Sequence, residues 1–221
     1  MVSFTEENYL KAIFHLFEEK DGATVSTNDL AEYVQNRAAS VTDMLKKLAE
    51  KDLINYKKYQ GVTLTTRGQE IALRTIRKHR LWEVFLVDKL GFKWDQIHEI
   101  AEQLEHIKSE ELTNRLEHFL DFPSFDPHGD PIPDINGKMP KMETYRLSEA
   151  PLHTNVIIKG VAEDTTSFLQ HLDKLGLNID TTIAVVDKSS FDLSCELQLA
   201  DGQLIRISHE VAVNIQVNSS L

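Results

Sequence analysis

The sequence predicts a mainly α-helical chain with a small β domain. Three observations carry that prediction. Apolar residues recur at three- and four-residue spacing through most of the first 120 positions, broken by one alternating, β-rich stretch at 53–65. All six prolines (Pro123, Pro127, Pro131, Pro133, Pro140 and Pro151) fall in one segment, where regular structure stops. Short runs of β-branched residues then dominate the last 70 positions. Three domains follow, at 1–73, 74–140 (with the Pro-rich tether at its end) and 148–221.

The first helix is expected over Phe4–Glu19, with Thr5 as its N-cap and Tyr9, Leu10, Ile13, Leu16 and Phe17 on one face. Ser26-Thr27 caps a short second helix carrying Leu30, Ala31 and Val34. A third runs from Ala38, with apolar positions 41, 44, 45 and 48 on one side and Ser40, Thr42, Asp43, Lys46 and Lys47 on the other. The stretch Leu53–Thr65 alternates and breaks near Gln60-Gly61, as a hairpin does. Three helices and a basic hairpin is the order of a winged helix-turn-helix, although a plain small α+β domain has the same element count. In the winged module the second helix of the motif enters the major groove of DNA. Arg37, Ser40, Thr42 and Asp43 would then meet base edges, and Lys46, Lys47, Lys57 and Lys58 the phosphates.

Charge favours the DNA-binding alternative. The chain is acidic overall, at −11, yet residues 36–80 hold 11 Lys/Arg against 4 Asp/Glu, while 81–221 hold 11 against 24. A basic segment on an acidic body suits a protein that meets a polyanion, here double-stranded DNA, with one part only. One cysteine, Cys195, excludes an internal disulfide. With no signal pattern and no apolar run long enough to span a bilayer, a cytoplasmic protein without membrane contact is expected.

Beyond the hairpin, helices are expected over 67–80, 81–90, 95–107 and 109–120. Their apolar surface exceeds what so short a segment buries alone, which points to a homodimer. The stretch His79–His106 is the densest in metal-capable side chains. His79 and Glu83 lie one helical turn apart, and His98, Glu102, Glu105 and His106 form a second set. Imidazoles with carboxylates and no thiolate suit a divalent first-row ion. Solvated helix faces are the plain alternative, but both segments are otherwise densely apolar, and carboxylates there tend to have a partner. Asp126 and His128 add metal-capable groups in the tether. An enzyme is not expected. Neither the Glu-x-x-His of di-iron bundles nor His-Glu-x-x-His occurs, so a di-metal hydrolase is the lesser alternative, and there is no Gly-rich phosphate loop for an organic cofactor. A metal-indifferent architectural DNA binder is a third alternative. In the last domain, strands near 156–158, 182–186, 193–199, 204–207 and 213–217, with a helix at 167–175, predict a small antiparallel barrel in which Cys195 is a core residue.

Taken together, Arg77-Lys78-His79-Arg80-Leu81-Trp82-Glu83, then His98, Glu102-x-x-Glu105-His106 and Pro127-His128-Gly129-x-Pro131-Ile132-Pro133, resemble the diphtheria-toxin-repressor/manganese-transport-regulator family of metal-dependent bacterial transcription regulators. The likeness covers nearly the whole chain. It implies a winged helix-turn-helix, a helical dimerisation domain and a C-terminal SH3-like (FeoA-like) barrel. It implies a primary metal site from Glu102, Glu105 and His106, completed by Asn8, where the family usually has aspartate or methionine. Lys11 stands where two-domain manganese regulators have a second carboxylate. The ancillary site maps onto His79, Glu83 and His98, with Asp164 lining up best as the barrel's ligand and Glu163 next; Asp126 and His128 match positions used in some members. The implied function is a Mn²⁺-activated repressor of metal-uptake genes acting at a palindromic operator, with Fe²⁺ as the alternative ion and Zn²⁺ or others able to substitute in vitro. Glu102 in place of the cysteine of iron-responsive members favours manganese.

Overall fold

The computed structural model describes residues 2–20, 22–57 and 60–219. The chain divides into two compact units. One comprises Met1–His79, Gln103–Asn114 and Pro133–Lys138; the other comprises Arg80–Glu102, Arg115–Ile132 and Met139–Leu221.

In the first unit, α1 (Phe4–Glu19) buries Leu10, Ile13 and Leu16. Its N-cap is Ser3, not Thr5: Ser3 and Glu6 satisfy each other's backbone N–H groups in a capping box, which places Thr5 inside the first turn. Ser26 and Asp29 make the same box at α2 (Thr27–Tyr33). Helix α3 (Ala38–Glu50) buries Val41, Leu45 and Leu48. Strands β1 (Ile54–Lys57) and β2 (Gly61–Leu64) pair antiparallel, Ile54 opposite Leu64 and Lys57 opposite Gly61. Lys58, expected at a phosphate, and Tyr59 beside it lie outside the described residues. At Gly68 a Cβ would come 1.9 Å from the Leu53 carbonyl oxygen, so only glycine lets the chain leave the hairpin here.

Helix α4 (Thr66–Asp88) is one continuous element where the sequence reading divides it at Arg80. No Gly or Pro falls between Gln69 and Asp88, so nothing ends it. Helix α5 (His98–Leu104) is shorter than expected, and Glu105 and His106 lie in the turn that follows. Helix α6 spans Glu110–Phe119.

The second unit holds two apolar clusters. Leu81, Val84, Leu116, Leu120 and Ile132 pack together, flanked by Trp82 and Phe85. The larger cluster lies under a six-stranded antiparallel sheet ordered β3-β8-β4-β5-β6-β7. Its members are β3 (Tyr145–Arg146), β4 (Asn155–Val161), β5 (Thr182–Lys188), β6 (Cys195–Leu199), β7 (Leu204–Ile207) and β8 (Ile215–Ser219). Helix α7 (Thr166–Leu175) buries Leu169 and Leu172 and ends at Gly176 in the left-handed conformation. The two-residue β3 and the five-residue helix α8 (His209–Val213) go beyond the elements that the sequence predicts. Cys195 is buried in the sheet core, as expected, and burial pushes its thiol pKa up.

The tether is strapped to β4. Val161 N–H donates to the His128 carbonyl (3.0 Å), and a Cβ on Gly129 would sit 2.0 Å from the Lys159 oxygen. Among the described residues no helix is long and apolar enough to cross a membrane.

Candidate metal centres and nucleic-acid interface

Among the described residues, each unit brings metal-capable side chains together. In the first unit α1 contributes Glu7, Asn8 and Lys11, which share a face because they are three and four residues apart. The turn after α5 contributes Glu105 and His106, and α4 contributes His79. Glu105 is completely buried (0 % exposed). Its Oε2 accepts a hydrogen bond from His79 Nδ1 at 2.6 Å, and Lys11 Nζ donates to both carboxylate oxygens at 2.9 and 2.8 Å. Burial pushes the Glu105 pKa up, but the His79 hydrogen bond and the Lys11 charge outweigh it and hold the carboxyl below its ordinary range. Glu105 is therefore ionised and can only accept, which places a His79 proton on Nδ1 in that bond. His106 Nδ1 bonds Glu7 Oε2 at 2.7 Å and its Nε2 lies 3.7 Å from Glu105 Oε1, while Phe4 stacks on the ring with centroids 4.6 Å apart.

One atom in this group is left over. Asn8 Oδ1 is buried with no hydrogen-bond partner. Buried acceptors are almost always satisfied, so an orphaned amide oxygen on α1, next to Glu7 and three residues before Lys11, is an oxygen that a hard cation could complete. Glu7 is a member of this group that sequence reasoning misses. Its position four residues before Lys11 and next to Asn8 is the signal that could have found it.

In the second unit Glu83, Asp126 and His128 are all buried, with ligand atoms within 4.8 Å of one another. His128 Nε2 bonds the Trp94 carbonyl at 2.9 Å, and a carbonyl only accepts, so Nε2 carries the proton of that bond; Nδ1 lies 3.8 Å from Glu83 Oε1. Asp126 Oδ1 accepts from the backbone N–H groups of His128 (2.8 Å) and Asp130 (3.0 Å), shaping the turn that presents the imidazole, while Oδ2 lies 3.5 Å from Arg80 Nε. Burial first, then the neighbouring carboxylates of Glu83 and Asp130, push the Asp126 pKa well up, against the pull of Arg80. His98, half exposed, has Nδ1 3.9 Å from Glu83 Oε1 and 3.7 Å from Asp164 Oδ2, and Nε2 3.8 Å from Glu102 Oε1. Glu163 instead accepts the Thr165 backbone N–H at 3.3 Å.

Also in the first unit, Arg37, Ser40, Asp43, Lys46, Lys47 and Lys57 are exposed. Thr42 is half buried and donates its hydroxyl to the Ala38 carbonyl at 2.8 Å. Lys46 pairs with Asp43 at 3.0 Å, an exposed ion pair that a phosphate would displace at little cost.

Residues 1–62 match the family described as iron dependent repressor, N-terminal DNA binding domain; residues 65–134 match iron dependent repressor, metal binding and dimerisation domain; residues 145–219 match the FeoA domain. The chain is 30 % identical over 161 residues to the iron-dependent repressor IdeR of Mycobacterium leprae, covering 70 % of this chain and 69 % of that one. The chain belongs to the iron-dependent repressor family. The resemblance drawn from the motifs therefore holds, and the protein is a metal-dependent transcriptional repressor that binds DNA and dimerises. It is also similar to a manganese-dependent transcriptional repressor in complex with manganese, at 32 % identity and a TM-score of 0.85 over 97 % of this chain and all of that one. The structure of ScaR with bound Zn²⁺ matches with 33 % identity and a TM-score of 0.79 over 97 % and 99 %. The FeoA match and the antiparallel sheet bear out the expected SH3-like last domain. Family membership also speaks against the hydrolase alternative, since repressors of this kind are not in general enzymes.

Proposed function

We propose that this repressor is activated by Mn²⁺ and acts as a homodimer at a palindromic operator of metal-uptake genes. The observation that carries the reading is the orphaned Asn8 oxygen on α1, the helix whose Glu7 and Lys11 bond His106 and Glu105. The first centre would be held by Asn8, Glu105 and His106, with Glu102, three residues before Glu105 in the chain, as the further carboxylate and His79 oriented by Glu105. The second would be held by Glu83, Asp126 and His128, with His98 and Asp164 at its exposed side. Bound there, a divalent ion supplies positive charge that offsets the carboxylates.

Oxygen and imidazole donors suit manganese better than a thiolate-preferring ion, and the one cysteine is sequestered in the sheet core. The manganese-bound relative supports the same ion; the iron-dependent relatives keep Fe²⁺ as the second reading. The chain's own residues link the site to DNA. Asn8 on α1 and the Glu105–His106 turn would be drawn onto one cation, fixing α1 in the DNA-binding unit. Two α3 helices would then meet major-groove faces about 34 Å apart or a multiple of it, with Arg37, Ser40, Thr42 and Asp43 at base edges and Lys46, Lys47, Lys57 and Lys58 at phosphates. A coupling of about 1–3 kcal/mol gives a response of about 5–150-fold.

The test is fluorescence anisotropy on operator DNA, with chelator and with Mn²⁺ or Fe²⁺ titrated in parallel. Glu105→Gln should lose the metal response and keep salt-sensitive, non-specific binding. A full-strength metal response in that variant refutes the assignment of the centre, and a stronger response to Fe²⁺ than to Mn²⁺ refutes the choice of ion.

A further inference from the structure

The Glu105 carboxylate already holds a lysine ammonium of the same chain. Lys11 Nζ donates to both Glu105 oxygens at 2.9 and 2.8 Å across a sequence separation of 94 residues. The Lys11 side chain is only 12 % exposed and Glu105 not at all, so this is a buried pair rather than a surface one. A buried carboxylate without a counter-charge is costly, and few residues could supply the charge from α1. Lys11 lies three residues after Asn8 and four after Glu7, on the face of α1 that reaches the Glu105–His106 turn.

We propose that Lys11 is the resident cation of this centre: its ammonium occupies the Glu105 oxygens that a divalent ion must take, and so sets the metal concentration at which the repressor responds. The proposal rests on the reading of Glu105 as a metal ligand. An ammonium with two of its three protons on the carboxylate and a metal ion coordinated to the same oxygens cannot both be accommodated, because two cations a few ångströms apart repel in a partly desolvated site. Metal entry therefore includes the departure of Nζ, which lowers the net metal affinity. The same residue keeps the ion-free protein folded around a buried charge, so one side chain stabilises the resting state and opposes activation.

The experiment measures Mn²⁺ binding to full-length protein by titration calorimetry and by the decline of the free-ion electron paramagnetic resonance signal. The variants are Lys11→Met, Lys11→Gln and Lys11→Arg, with Glu105→Gln as the control. Lys11→Met removes the charge at similar length, Lys11→Gln keeps a hydrogen-bond donor in case Met does not fold, and Lys11→Arg keeps the charge. The expected result is roughly 10-fold or more tighter Mn²⁺ binding in Met or Gln. A lower unfolding midpoint without metal should accompany it, with binding in Arg close to the parent. A purely structural ion pair predicts the opposite, because its removal would disorder the centre and weaken binding. Unchanged or weaker Mn²⁺ affinity in folded Met and Gln variants overturns the proposal. If Glu105→Gln retains every bound ion of the parent, the assignment of the centre fails instead.

Discussion

Replacing Asp126 by asparagine should make the metal-free repressor more stable at neutral pH while removing part of its response to metal. Asp126 is 6 % exposed and shares its surroundings with Glu83 at 2 % and His128 at 4 %. Burial and the carboxylates of Glu83 and Asp130 push its pKa well up. A carboxyl with a raised folded-state pKa gives the folded state its full benefit only below the ordinary value, about 3.9. Stability then falls as pH climbs from there through the folded value, by about 1.4 kcal/mol for each pH unit between the two. Asparagine carries no such charge. It still presents Oδ1 to the N–H groups of His128 and Asp130, which donate to that oxygen at 2.8 and 3.0 Å, so the turn survives. What it gives up is a 3.5 Å ion pair with Arg80, which keeps Asp130 at 3.0 Å. Metal acts in the other direction. An ion at about 100 times its Kd stabilises the folded state by about 2.7 kcal/mol. At roughly 2–4 °C per kcal/mol for a chain of this size, that is about 5–11 °C. Thermal unfolding followed by circular dichroism, with chelator and with Mn²⁺, from about pH 5 to 8, should show Asp126→Asn flatter with pH, higher-melting in chelator near neutral pH, and missing much of the metal increment. A variant that melts below the parent in chelator and gains as much from Mn²⁺ would refute both the electrostatic account and the second centre.

Two further outcomes follow from packing and charge. Gly129→Ala should cost more than about 2 kcal/mol, because Gly129 has φ +88° and its new Cβ would meet the Lys159 oxygen at 2.0 Å. The melting temperature should fall by about 4–8 °C, with faster hydrogen exchange at Val161; unchanged exchange there would show that the tether is not strapped to β4. Lys47→Ala should weaken binding to all DNA sequences alike. It should also make the log–log salt dependence shallower by about 0.9 for each phosphate no longer neutralised, or about 1.8 per dimer. An unchanged slope would remove Lys47 from the interface.

Much of the fold is legible in the sequence because its signals are local. The apolar spacing at 41, 45 and 48, the Ser26 cap and the alternation at 54–64 each fix an element by themselves. The reading goes astray where two local signals compete or where none exists. Thr5 and Ser3 are both capable caps, and the Ser3–Glu6 reciprocity decides between them. Tyr145–Arg146 is too short to show alternation and is a strand only because Val217 and Gln216 lie opposite it. The metal-capable residues are legible by type, whereas their partners are not. The hydrogen bonds of Lys11 to Glu105 and of His106 to Glu7 join positions more than 90 residues apart, which no periodicity records. Spacing puts Glu105 in a stacked helical set, but α5 ends at Leu104, and the turn beyond it aims the carboxylate at α1.

The solitary thiol has a practical use. Cys195 is 1 % exposed, with Sγ directed at the Leu193 carbonyl, so maleimide reagents have nothing to react with on the native surface. A cysteine installed at exposed Ser40 would be the single labelled position on each protomer, with no background to engineer away. Paired spin labels there would report the separation of the two α3 helices of a dimer directly, turning the proposed metal-driven rearrangement into a distance distribution that can be read in solution.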